Sequence, residues 1–228
     1  MNILAIDTSS KMLCLGVVNH RQKRVGYNLD SGKRHTGLLL PTIKKALARS
    51  GVRISQVDYF AVGLGPGSFT GLRIGLATMK GFAQAMNVPV IGLPTLDILA
   101  GNALAEKGRI ICPLIDAKRN LVFTAWYESD AHNRLKRGSP YLLISIEELL
   151  KRLKPYKGIT FLGDGLLLHQ RLLMAKKRGS IFLNEDNWYP KAKILINQAL
   201  DSAQRGRFKE AGRIKPIYLY PKECQVKN

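Results

Sequence analysis

Gly63-Leu64-Gly65-Pro66-Gly67-Ser68-Phe69-Thr70-Gly71-Leu72-Arg73-Ile74-Gly75 follows an apolar strand, Tyr59 to Val62, and runs into a helical pattern that opens at Ser68 or Phe69. Glycine at every second position from Gly63 to Gly67 tolerates the positive φ angles of a sharp strand-to-helix turn. Pro66 fixes one torsion, and Ser68 is placed to cap the helix. A helix N-terminus presented in this way offers unpaired N–H groups and partial positive charge, which suit a phosphate or a carboxylate. The same glycines equally suit backbone packed closely on backbone.

Outward from this loop, the first half reads as strands Ile3 to Asp7, Leu13 to Val18 and Val25 to Leu29, then a helix from about Thr36 to Arg49. Leu38, Leu39, Ile43, Ala46 and Leu47 recur at helical spacing there, and Gly51 closes the helix. The strand before the loop, the long helix to Met86, a strand Val88 to Ile91 and a helix Thr95 to Lys107 complete this half. After a seam at Gly108-Arg109 the order begins again, with strands Ile110 to Asp116 and Leu121 to Tyr127, a polar turn at Ser129 to Arg134 and a third strand near Tyr141. A helix Ser145 to Leu153, opened by a Ser145/Glu148 capping box, precedes strand Gly158 to Leu162, Gly163-Asp164-Gly165 and a helix to about Lys177. Asp7 and Asp116 end the first strand of each half, where the chain reverses, so they mark one design used twice. Three strands, helix, strand, helix is the order of a ribonuclease-H-like lobe. The expectation is an α/β protein of two such lobes, residues 1–108 and 109–228, with a cleft between them and a C-terminal segment that crosses back.

The net charge of the 228 residues is +20, divided as +9 over residues 1–110 and +11 over 111–228. Spread in this way, it is either a solvated surface or the footprint of a polyanionic partner such as RNA or an acidic protein. No apolar run reaches the ~20 residues of a membrane span, and Met1 leads directly into a strand, so no membrane association and a cytoplasmic location are expected. Cys14, Cys112 and Cys224 are odd in number and far apart, which suggests neither a disulfide framework nor a thiolate metal site.

Several chemistries fail on their own side chains. A two-metal nuclease needs converging carboxylates, but the helix after the third strand has no acid and the fourth strand ends in Gly63-Leu64-Gly65. A dinucleotide site lacks the acid expected after Val88 to Ile91, Pro66 removes a donor from the phosphate cradle, and no Gly-Lys-Ser/Thr is present. His20, His35, His132 and His169 are scattered, and Ser68 is not in a nucleophile elbow, so no metal, no catalytic residue and no peptidase pair is expected. The long helix carries Gly71, Gly75, Ala77, Thr78, Gly81, Ala83 and Ala85 among Leu72, Ile74, Leu76, Met79, Phe82 and Met86. It is apolar or small on nearly every face, hence either wholly buried or shared with another subunit.

Ile3-Leu4-Ala5-Ile6-Asp7-Thr8-Ser9, His35-Thr36 leading to Leu40-Pro41, the glycine stretch Gly65 to Gly75, Ile115-Asp116-Ala117-Lys118 and Pro216-Ile217-Tyr218-Leu219 together resemble the TsaB (YeaZ) family of tRNA threonylcarbamoyladenosine biosynthesis. The resemblance implies an actin/Hsp70/sugar-kinase-like fold. It further implies a non-catalytic activating subunit that dimerises with TsaD, works with the ATPase TsaE and forms a homodimer in isolation. The group transferred by that system is threonylcarbamoyl, to N6 of the adenosine beside the tRNA anticodon. TsaD-like sequences carry His-x-x-x-His where this chain has Gly92-Leu93-Pro94-Thr95-Leu96-Asp97. The implied subunit interface is built on the two helices, with His35, Leu38, Leu39, Ile43, Leu72, Arg73, Gly75, Leu76, Ala77 and Met79. The glycine-loop residues Gly65, Pro66, Gly67, Ser68, Thr70 and Gly71 are expected to be structural, open to an anion or nucleotide contact, and Asp7 and Asp116 to shape the lobe turns. No cofactor is expected in this chain, with ATP entering only at the level of the complex. Two departures stand out: Thr8-Ser9-Ser10 follows Asp7 where kinase-like relatives place glycine, and Tyr220 stands where Arg is expected. A charge of +20 is high for the family and raises direct contact with tRNA. The rival reading is a free-standing nucleotide-dependent transferase or kinase of the same fold.

Overall fold

The computed structural model describes residues 1–32, 35–103, 108–130 and 135–220; the side chains of His35 and Thr36, together with His132 and Cys224, lie outside the described residues. In chain order the elements are β1 (Ile3–Asp7), β2 (Met12–Val18), β3 (Arg24–Asp30), α1 (His35–Ser50), β4 (Tyr59–Gly63), α2 (Phe69–Met86), β5 (Val90–Leu93) and α3 (Thr95–Ala100). They continue with β6 (Ile110–Asp116), β7 (Leu121–Thr124), β8 (Tyr127–Ser129), β9 (Leu135–Arg137), β10 (Leu142–Ser145), α4 (Ile146–Arg152), β11 (Thr160–Leu162), α5 (Leu166–Lys176), β12 (Ile181–Phe182) and α6 (Ala192–Gln204).

The duplication is visible in strand order. The first sheet runs β3-β2-β1-β4-β5 and the main path of the second runs β10-β7-β6-β11-β12. In each, the first strand pairs antiparallel with the second and parallel with the fourth, and the fourth pairs parallel with the fifth. The fold is α/β, two ribonuclease-H-like sheets of one topology, as in actin/Hsp70/sugar-kinase-like proteins. The second copy differs by an inserted hairpin. The expected single strand Leu121 to Tyr127 breaks at Ala125-Trp126, because Trp126 leaves the β7 ladder to accept from Gly138 N–H (2.8 Å) and to donate to Ser139 Oγ (3.1 Å).

Among the described residues two compact units emerge from the contacts: residues 1–98 with 190–217, and residues 99–189 with 218–220. This boundary is not the Gly108-Arg109 seam expected from the sequence, and the reason is burial. A five-stranded sheet has two apolar faces. On one, Leu4, Ile6, Leu13, Leu15, Phe60 and Val62 pack under α1 and α2 through Leu39, Ile43, Leu76 and Met79. On the other, Ile3, Ala5, Cys14, Val18 and Ile91 meet Leu195, Ile196, Ala199 and Leu200 of α6. The sheet therefore takes its second cover from a late segment of the chain. α3 is also shorter than expected, ending at Ala100, and residues 104–107 of the expected helix lie outside the described residues.

Two glycines seat α6. Gly16 and Gly26 are cross-strand partners on β2 and β3. A Cβ on Gly16 would lie 2.5 Å from Ile196 Cγ1, and one on Gly26 would lie 2.8 Å from Ala192 Cβ. Gly16→Val should therefore push α6 off the sheet and cost about 1–3 kcal/mol of stability. Urea unfolding checks this; a midpoint equal to wild type would show that α6 does not depend on the close approach.

Candidate functional site

The glycine stretch meets the turn between β1 and β2. Ser68 caps α2 as its sequence position suggests, its Oγ accepting from Gly71 N–H at 3.2 Å. Its own N–H is used elsewhere: it donates to the Ser9 carbonyl at 2.7 Å, while Thr8 Oγ1 donates to the Gly71 carbonyl at 2.7 Å. A Cβ at Gly67 would lie 2.4 Å from Ser9 O, at Gly71 2.0 Å from Thr8 O, and at Gly75 2.3 Å from Thr8 Oγ1. Each glycine is thus a point where the β1–β2 turn touches the loop or helix, closer than any side chain permits. Gly65 adds a positive φ of +89°.

Asp7 lies beneath this contact and is fully buried. Its Oδ1 accepts from Ser9 N–H (2.9 Å) and Ser9 Oγ (2.6 Å), and its Oδ2 accepts from Thr95 Oγ1 (2.7 Å). Thr95 in turn accepts from Gly65 N–H (3.2 Å) and donates its own N–H to Gly65 O (2.8 Å). A Cβ on Gly63 would sit 2.0 Å from Asp7 Oδ2. Thr95 is the residue that sequence reasoning missed. Its signal is Pro94-Thr95 directly after β5, in the stretch where TsaD-like sequences carry His-x-x-x-His.

Asp116, at the matching place in the second unit, is bound differently. Its Oδ1 accepts from Lys118 N–H at 2.8 Å and its Oδ2 from Lys118 Nζ. Burial alone would raise its carboxyl, but Lys118, with His169 nearby, outweighs that and holds it below the usual range. Lys118, Arg119 and Asn120 all have left-handed backbone, φ 54–65°. Asp164, half-buried, accepts from Asp116 N–H at 3.0 Å, and desolvation, with the Asp116 charge adding, pushes its carboxyl above the ordinary value. Tyr220, in the place of the expected arginine, is structural here: its ring is 5.8 Å from Phe123, edge-on, and its hydroxyl donates to Ala117 O. Cys14 and Cys112 are buried thiols, both shifted up by desolvation, Cys112 to about 12, which makes them poor nucleophiles.

The expected interface residues differ in exposure. Leu39, Ile43, Leu72, Gly75, Leu76 and Met79 are buried within the first unit, so their apolarity is used internally and they present no surface to a partner. Arg73 and Ala77 are exposed, Leu38 is partly buried, and the side chain of His35 lies outside the described residues. The open face of α2 carries Thr70, Arg73, Ala77, Gly81 and Gln84, with nothing within 4 Å of a Cβ built on Gly81. Phe69 and Arg73 form a cation–π pair at 3.8 Å, and on α1 Leu40 is 55 % exposed.

Thr95→Val, isosteric but without the hydroxyl, should destabilise the chain by about 1.5–3 kcal/mol, because it removes a donor from a buried carboxylate. An unchanged thermal melt would contradict that role. For Asp164 the folded-state pKa lies above the unfolded one, so its contribution is full in acid and lost as pH rises through the folded value. Asp164→Asn keeps an oxygen for Asp116 N–H; it should match wild type in acid and exceed it near neutrality, as read from melts across pH.

Among known proteins, the family model described as TsaD, tRNA N6-adenosine threonylcarbamoyltransferase, matches residues 29–160. The chain is 33% identical over 202 residues to the tRNA threonylcarbamoyladenosine biosynthesis protein TsaB of Buchnera aphidicola subsp. Schizaphis graminum, covering 85% of this chain and 90% of that one. To TsaB of Escherichia coli K12 it is 28% identical, over 96% and 94% of the two chains. A solved structure named YeaZ from Pseudomonas aeruginosa superposes with a TM-score of 0.81 at 25% identity, over 96% of this chain and 99% of that one. The activator of 2-hydroxyisocaproyl-CoA dehydratase from Clostridium difficile shares the fold alone, with a TM-score of 0.52 at 10% identity, over 96% of this chain and all of that one. Matched over nearly its whole length by sequence and by structure, the chain belongs to the TsaB (YeaZ) family of tRNA threonylcarbamoyladenosine biosynthesis proteins.

Proposed function

We propose that this chain is a non-catalytic, activating subunit of tRNA threonylcarbamoyl transfer, which pairs with TsaD and works with TsaE to modify N6 of the adenosine beside the anticodon. The observation that carries the reading is the filled glycine loop. The turn that brings phosphate close in a nucleotide-using enzyme of this fold is here Thr8-Ser9, lodged against Gly67, Gly71 and Gly75 at distances that leave no room for a ligand atom between them. The N-terminus of α2 is thus engaged by the β1–β2 turn, and in this reading it holds that turn rather than an anion. Nucleotide enters this reading only through the complex.

The pairing surface in this proposal is the open stripe of α2, together with the exposed Leu40 and Pro41 of α1, the helix that packs on the same face of the sheet. Ala77 and Gly81 are small and exposed, so a facing helix can approach closely, and the Phe69–Arg73 pair borders them with an aromatic face and a cation. Gly75, a small residue of the same helix, is unsuited to testing this, because any side chain there strikes Thr8 and disturbs the fold itself.

Ala77→Arg should leave the melting temperature unchanged and weaken co-purification with TsaD by at least about tenfold, roughly 1.4 kcal/mol. Gly81→Ala serves as the fold control: in open space in mid-helix, it should stabilise the chain by about 0.5–1 kcal/mol. Undiminished pairing of a folded Ala77→Arg would remove α2 from the interface. Reconstituted tRNA modification should require the chain, and calorimetry of the chain alone with ATP and magnesium should show no micromolar binding; binding with turnover would favour the free-standing kinase or transferase instead.

A further inference from the structure

The segment after α6 reads Arg205-Gly206-Arg207-Phe208-Lys209-Glu210-Ala211-Gly212-Arg213-Ile214-Lys215, five basic residues to one acid. All of Arg205 to Glu210, with Arg213 and Lys215, is exposed. Its backbone is nevertheless fixed. Lys209 N–H donates to Val90 O at 2.9 Å and Val90 N–H to Lys209 O at 2.8 Å, an antiparallel bridge at the edge strand β5. The Phe208 ring leans on Tyr59, centroids 5.2 Å apart and planes at 52°, yet remains 39 % exposed. Phe208 also lines an open cavity of about 420 Å³ together with Pro89, Lys209, Glu210 and Arg213. Arg205 is paired with Asp201 at 2.8 Å, and Arg213 with Glu210 at 3.5 Å in a highly exposed pair. Among the described residues Arg207 and Lys209 take part in no ion pair.

An aromatic ring held from behind and open in front, with Lys209 and the weakly paired, exposed Arg213 on the cavity wall and Arg207 next to it in sequence, matches the chemistry of an unstacked nucleobase with its flanking phosphates. An acidic peptide would satisfy the cations but has no use for the ring, and a duplex keeps its bases stacked and out of reach. The volume lies in the ~300–1,000 Å³ range of small-ligand sites, room for a base with some water. We infer that Phe208, with Arg207, Lys209 and Arg213, is a docking site for single-stranded RNA, taking one base on the ring and its neighbouring phosphates on the cations. The choice of RNA over DNA rests on the proposed role in tRNA modification; the stacking and phosphate chemistry does not.

The test is fluorescence anisotropy of the full chain with a labelled RNA hairpin bearing a single-stranded loop, across a salt series, and with the same RNA fully duplexed. Phe208→Ala should weaken loop binding about tenfold with its salt slope intact, whereas Phe208→Trp should retain it. The double change Arg207→Ala, Lys209→Ala should flatten the plot of log affinity against log salt by roughly 1.4, at ~0.7 per phosphate contact on a single strand. Loop affinity unchanged in both variants would overturn the site. Equal sensitivity of the duplex, or of poly-glutamate, to Phe208→Ala would overturn base stacking. Co-purification with TsaD, measured on the same variants, should be unaffected, so loss of RNA docking and loss of the pairing reading are told apart.

Discussion

A carboxylate cut off from water sits at the root of the first unit. Burying Asp7 is costly unless its oxygens are met by donors, and the chain meets them with Ser9 N–H, Ser9 Oγ and Thr95 Oγ1. These partners come from the turn after β1 and the start of α3, and Thr95 also exchanges two hydrogen bonds with Gly65. Three segments distant in sequence are thereby held within hydrogen-bond reach of one another. Gly63 follows from the same constraint, since the space a side chain would take is filled by the carboxylate. So do Gly67, Gly71 and Gly75, because once Thr8 and Ser9 are fixed the loop and helix have only backbone left to offer them.

The second unit repeats the topology and abandons the chemistry. At the end of β6 the equivalent carboxylate, Asp116, is partly open to solvent and is met by Lys118 from a turn of three left-handed residues. Gly163, just after β11, occupies the place of Gly63 at the end of β4, yet what crowds it is the Leu114 carbonyl, 2.2 Å from a built Cβ. A shared strand order thus fixes where the turns fall, while the side chains at those turns vary independently. A fold alone therefore does not carry an activity across to this chain.

Most of the fold was legible because it rests on local signals. The short apolar strand runs, the helix stripe from Leu38 to Leu47, the Ser68 and Ser145 caps and the Asp7/Asp116 repeat are all written in neighbouring residues. What escaped depends on pairing between distant segments. The break at Ala125-Trp126 needs Gly138 and Ser139, the Thr95 anchor needs Asp7, and the covering of the first sheet by α6 needs glycines on two strands. The long helix shows the same limit. Apolar and small residues on every side establish that it is covered, but only the packing distinguishes Leu72, Leu76 and Met79, facing inward, from Ala77 and Gly81, facing out. Among the described residues no helix is long and apolar enough to cross a membrane.

The covering of the first sheet by α6 also bears on how the chain is made. When β1 to α3 have left the ribosome, one face of their sheet has α1 and α2 to fold against, whereas Ile3, Ala5, Cys14, Val18 and Ile91 on the other face wait for residues 192–204. About ninety residues, most of the second unit, are synthesised in that interval. The first unit to be begun is therefore closed only after most of the second has been made. Its unsealed sheet is the surface on which a nascent-chain chaperone has the longest opportunity to act, and a chain interrupted before Ala192 would leave that face bare.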